Sequence, residues 1–156
     1  MKNTALLLWF LLFFGANCYA QTDFINKVRL LYLKAAEEEQ ACETLIRLTE
    51  SRNASEKPLL LGYKGSATMM MARHVVNPFS KLSHFKKGRN MLEHAIRADR
   101  ENVELRFLRY AVQTHAPSFL GYDEHVESDK KFMLQASDSM DETLKKLVGT
   151  LLDLDQ

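Results

Sequence analysis

The sequence predicts an all-α domain, and three observations carry that reading. Apolar residues recur at i, i+3, i+4 and i+7 through most of the chain. Nothing after residue 20 alternates with the period of two that a half-buried strand shows. Pro and Asn stand where helices open, at Pro58, Asn77-Pro78 and Asn102. The expected architecture is one domain, residues 21–156, built of antiparallel helical hairpins. About six or seven helices are expected, in a right-handed stack or a compact bundle.

Residues 1–20 read as a cleavable secretory signal. Lys2 supplies the positive start, Ala5 to Phe14 is an unbroken apolar run, and Ala16 to Ala20 is a small-residue exit. The run is shorter than the roughly 20 residues a membrane span needs. Asn17 before Cys18 fits a lipidated cysteine poorly, so cleavage after Ala20 and release into the periplasm, cell envelope or exterior is the expectation, with no stable membrane insertion afterwards. Lys2 is the one charge in that segment, so the remainder carries 20 basic and 20 acidic residues. A balanced chain lacks the basic excess of a nucleic-acid binder. Cys42 is the sole cysteine after residue 20, which excludes an internal disulfide in the processed chain.

Each element follows from local pattern. Phe24, Val28, Leu31, Tyr32 and Ala35 make one face; the stripe fails at Glu37-Glu38-Glu39-Gln40 and resumes at Ala41, Cys42, Leu45, Ile46 and Leu48. Three carboxylates suit the positive end of a new helix, which favours two helices, roughly 22–36 and 38–51, over one. A polar linker leads to Pro58, suited to a first helical turn. Asn53-Ala54-Ser55 within that linker matches the glycosylation sequon, which matters only in a eukaryotic secretory pathway. The third helix, from Pro58 to about Val75, is apolar almost all round and so belongs between others. Gly62, Gly65, Ser66 and Ala72 give it a side where another backbone can approach; its Met69-Met70-Met71 run points in different directions and reads as core filling. Asn77 caps and Pro78 opens a fourth helix to about 98; Asn102 caps a fifth, about 103–115; Asp123 caps a sixth, to about Ala136. The seventh, roughly 140–152, opens with a capping box at Ser139 and Glu142.

Gly88, Leu92, Ala95 and Arg100 have the spacing of small, large and small residues before a turn that ends the second helix of a tetratricopeptide (TPR) repeat, with Arg100 where Pro is usual. About 25 residues resemble that family in this way, and the third helix lacks the first-helix Trp/Leu/Gly/Tyr pattern. The run from Asn102 to Tyr122 also resembles a group of exported bacterial proteins with no assigned activity. The TPR resemblance implies paired antiparallel helices that stack into a shallow surface for a peptide or partner protein.

The fifth helix is the anomaly. Its apolar residues span roughly 220° of its circumference, which makes it central and puts Glu104 inside that arc. A buried carboxylate must be paired or protonated. Arg89 lies on the apolar side of the fourth helix, and the expectation is that Arg89 and Glu104 tie the third, fourth and fifth helices together through Tyr63. Arg106, Arg109 and Gln113 fill the remaining polar arc. With Tyr110, Phe119 and Tyr122 they form the expected partner-binding edge, because Arg and Tyr often carry interface energy.

The chain contains no His-Glu-x-x-His, no nucleophile elbow and no Gly-rich phosphate loop. Its five His lack the i, i+3 or i+4 pairing of helical metal ligands, so neither a cofactor nor a metal is expected. The leading expectation is a non-enzymatic adaptor for a protein or peptide. The alternative is a small enzyme or ligand carrier whose pocket lies between the third, fourth and fifth helices, using Arg89 and Glu104.

Overall fold

The computed structural model describes residues 21–154, and among them the fold is all-helical. The expected signal segment and its cleavage point lie outside the described residues. Seven α-helices follow in order: α1 (21–35), α2 (Glu39–Glu50), α3 (Pro58–His74), α4 (Pro78–Ala98), α5 (Val103–His115), α6 (Val126–Gln135) and α7 (Glu142–Leu154). Short 3-10 turns fall at Ala54–Glu56, Ser118–Leu120 and Ser137–Ser139.

The break in the first amphipathic stripe is real. The N–H groups of Glu37 and Glu38 both donate to the Lys34 carbonyl, closing α1, and Glu38 is extended at φ −111° before α2 begins. The carboxylate run therefore ends one helix and starts another, as the charge pattern suggested.

Helix α3 is the hub. It packs extensively on α4 and α2 and also touches α5 and the turn at Ala54–Glu56. Nine of its residues, from Leu60 to Met71, are buried on every side of the helix. Two glycines let α3 and α4 meet backbone to backbone. A Cβ added at Gly65 would lie 2.7 Å from the Gly88 carbonyl oxygen and 2.8 Å from the Leu92 nitrogen, distances no real side chain shows. Around α3, Tyr32 meets Tyr63 edge-on with ring centroids 5.6 Å apart, and Tyr32 meets Phe107 at 6.1 Å.

Caps follow the sequence at two helices and depart from it at two. The Asn77 side chain accepts from the Phe79 and Ser80 N–H groups at 2.8 and 3.2 Å, and Asn102 accepts from Glu104 and Leu105 at 3.1 and 3.3 Å. Helix α6 starts at Val126, later than Asp123, whose carbonyl takes the Val126 N–H. Helix α7 is capped by Asp141 and not by Ser139. The Asp141 carboxylate accepts the Leu144 N–H at 2.9 Å, while the Ser139 hydroxyl donates back to the Ala136 carbonyl.

Candidate functional site

Two buried ionic networks bracket α5. The first joins α1, α3, α5 and the start of α7. The Arg29 guanidinium reaches Glu104 through Nε to Oε1 and Nη2 to Oε2, both 2.8 Å. The same guanidinium donates to both Asp141 oxygens at 3.0 and 2.8 Å. The Tyr63 hydroxyl donates to Glu104 Oε1 as well. Burial, the adjoining Glu104 charge and that bond push the Tyr63 hydroxyl well above its ordinary value. Burial opposes the charge on Arg29, but the hydrogen bonds to Glu104 and Asp141 outweigh it and hold the proton more tightly than usual.

This arrangement meets the requirement that a buried carboxylate be paired. It also engages both Glu104 oxygens, because Oε1 accepts two donors and Oε2 a third. Arg89 is not the partner expected for Glu104. It stands on the far side of α4, with its guanidinium carbon 4.8 Å above the Tyr122 ring. Arg89 and Glu104 therefore do not converge on a common pocket between α3, α4 and α5.

The second network joins α4, α5, α6 and the loop before α6. Arg109 donates through Nε to Asp129 Oδ2 at 2.6 Å and through Nη2 to Oδ1 at 2.8 Å, a bidentate fork. Its Nη1 donates to Glu93 Oε2 at 3.1 Å, and the Tyr122 hydroxyl donates to Glu93 Oε1 at 2.6 Å. Arg106 adds a longer contact to Asp129 at 3.4 Å and lies over the Phe132 ring. Burial and the Glu93 carboxylate push the Tyr122 hydroxyl up.

The polar arc of α5 is thus covered. Arg109, Tyr110 and Gln113 are buried, at 3%, 2% and 4% exposure, because α6 packs over the side of α5 that was expected to be open. Tyr122 is buried against Phe85 and α4, Arg106 is partly covered, and of that set Phe119 alone stands fully exposed. Tyr63 and Glu104 are buried and bonded, as a structural role requires.

Sequence reasoning missed Arg29, Asp129, Glu93 and Asp141. For Asp129 a signal existed: it lies three residues after Val126 and four before Met133, on the inward stripe of α6, so a buried charge was due there. Arg29 sits at the edge of the α1 stripe, and nothing local marked it.

An exposed stripe on α4 is the outward end of the second network. Lys86, Arg89, Asn90, Glu93 and Arg97 recur at helical spacing and line a shallow depression of about 400 Å³. Glu93 is bonded to Arg109 and Tyr122, and Arg89 is braced on Tyr122. The depression therefore presents three cations and an amide, with its one carboxylate already engaged. Among the described residues no His/Cys/Asp/Glu group is arranged to hold a metal ion, and no helix is long and apolar enough to cross a membrane. A scan against protein-family models, a search of curated proteins and a search of solved structures each returned no match.

Proposed function

We propose that this chain is an exported, non-enzymatic adaptor with a TPR-like arrangement of paired helices, and that a carboxylate-rich stretch of a partner protein lies along the α4 stripe. The observation that carries the reading is the stripe itself: Lys86, Arg89 and Arg97 on one exposed face of a helix whose other face is locked to α3 through paired glycines. A rigid base matters because a partner then gains contacts without ordering the platform. Arg89 is held over Tyr122, so less side-chain freedom is lost when it meets an anion. The bearing surface moves from the α5 edge to α4 because Arg109 and Tyr110 are covered by neighbouring elements.

The test is site-specific photocrosslinking in intact cells from position 90, at the centre of the stripe. A discrete acidic protein captured there, and lost in the double variant Arg89→Glu/Arg97→Glu, supports the reading. Capture that persists in that variant, or that occurs equally from a probe on α7, overturns it. Both residues lie outside the buried salt bridges, but Arg89 also braces Tyr122, so circular dichroism of the variant must show parental helix content.

A further inference from the structure

The α3–α4 hairpin carries a second feature, at its turn and separate from the stripe. Buried residues on α4 begin only at Phe85; from Pro78 to His84 every residue is exposed or half-exposed. The first two turns of α4, roughly 10 Å of helix, and the preceding turn form the outer end of the hairpin. This tip carries exposed apolar side chains. Val76 is 92% exposed and Phe79 84%, with Leu82 beside them. The loop bearing Phe119, 85% exposed, is anchored by Tyr122 on Phe85 and so lies against the same half of α4.

The tip is also cationic. From Lys57 to Ala98 the chain holds eight Lys or Arg and one acid, Glu93, which is engaged at the other end of α4. Arg73, Lys81 and Lys87 are exposed on or next to the tip, and no carboxylate lies between Lys57 and Glu93. His74 Nε2 meets the Ala35 carbonyl at 2.9 Å, which brings the exposed Glu37 and Glu38 toward the end of α3, so the excess of cations is carried by the start of α4, at Lys81 and Lys87.

From this pairing we infer that the α3–α4 turn docks the protein on an anionic lipid bilayer surface, with Val76 and Phe79 entering the interface and the surrounding cations facing lipid phosphates. Shape decides between a bilayer and a protein partner. Side chains this exposed are knobs, and a protein would need a matching pocket for each. A bilayer accepts protruding apolar side chains without a preformed site, and aromatic residues favour its headgroup level. The cations supply the second signal that stable peripheral binding requires. This is surface attachment, consistent with the absence of a spanning helix among the described residues. It does not depend on the adaptor reading, whose stripe lies further along α4.

The experiment places a reporter at the tip. The sequence has one tryptophan, Trp9, so the full chain carrying Trp9→Phe and Phe79→Trp has a single indole at position 79. Vesicles of phosphatidylcholine with phosphatidylglycerol are expected to shift its emission to the blue, and brominated lipids to quench it, while phosphatidylcholine alone does neither. Lys81→Gln should weaken the titration about fivefold, and molar salt should weaken it further. Val76→Ser, added to the same background, should weaken it several-fold with unchanged circular dichroism. Vesicle binding with no emission change at position 79 overturns the inference, since attachment would then run through another part of the chain. So would poly-glutamate binding as tightly as the vesicles, which would assign the tip to an acidic protein.

Discussion

Arg29 and Glu104 stand 75 residues apart in the chain and meet inside the fold through two parallel hydrogen bonds of 2.8 Å, each side chain almost wholly excluded from water. The pair fastens α1 to α5, and through Asp141 and Tyr63 it also holds the start of α7 and the middle of α3.

Removing one member strands the other. Glu104→Ala is expected to destabilise the fold by about 3–5 kcal/mol, because Arg29 and the Tyr63 hydroxyl lose their acceptor in a buried site. The double replacement Arg29→Met/Glu104→Leu should cost less than Glu104→Ala alone, since the charge it leaves unpaired, Asp141, is half exposed, and only the Tyr63 hydroxyl stays buried without its acceptor. Urea unfolding followed by circular dichroism gives both numbers. Equal losses would show that Glu104 matters for packing and not for charge.

Arg109→Ala is expected to destabilise by a similar amount, about 3–5 kcal/mol, because Asp129 is 1% exposed and keeps only the 3.4 Å contact from Arg106. Asp129→Ala in the same background should add little, giving a coupling energy on the order of 2 kcal/mol in a double-mutant cycle. Arg97→Ala, on the exposed stripe, should stay within about 0.5 kcal/mol of the parent. An Arg109→Ala protein of parental stability would mean that α6 does not cover α5 in solution.

Two glycines give opposite expectations. At Gly88 a Cβ would collide with the Gly65 carbonyl oxygen and lie 2.7 Å from the Met69 nitrogen, so Gly88→Ala must push two helices apart, at about 1–3 kcal/mol or more. At Gly149, in α7, nothing lies within 4 Å of the added carbon, and Gly149→Ala should stabilise by up to about 1 kcal/mol through helix propensity. Thermal melts of the two variants should move in opposite directions.

Acid should weaken the hold on α7. Burial disfavours the Asp141 charge, but the Arg29 hydrogen bonds and the Leu144 and Thr143 N–H groups outweigh it and hold the carboxyl below its ordinary value. The unfolded chain therefore binds this proton more readily, so stability rises with pH through that range. The contribution is complete above the unfolded value of about 4 and is lost as pH falls through the lower folded one. Asp141→Asn should lower stability at neutral pH and flatten its decline below about pH 4. Urea midpoints at neutral and acid pH, compared between the two proteins, check this.

Much of the fold was readable from short stretches. Asn77 and Asn102 cap the helices they were expected to cap, and Pro58 and Pro78 open theirs, because a cap is satisfied within three residues of itself. The interruption at Glu37 to Glu39 divides two helices for an equally local reason. The glycines of α3 announced close approach because a missing side chain on an otherwise apolar helix has few other uses. The candidate site was less legible. Glu104 was recognised as buried, yet its partner was sought on α4, the next helix along, when it lay on α1.

The sequence by itself determined that this chain is helical, where most helices start, that α3 is enclosed, and that α5 carries a charge into the interior. All of these depend on periodicity and hydrogen bonds reaching about one helical turn. Only the tertiary structure decided which charges pair, and so which face of α5 is covered and which face of α4 is left to water. A salt bridge forms over about 3 Å between side chains whose separation in sequence is arbitrary. The choice of Arg29 over Arg89 for Glu104, and of Asp129 for Arg109, was fixed when α1 and α6 settled against α5.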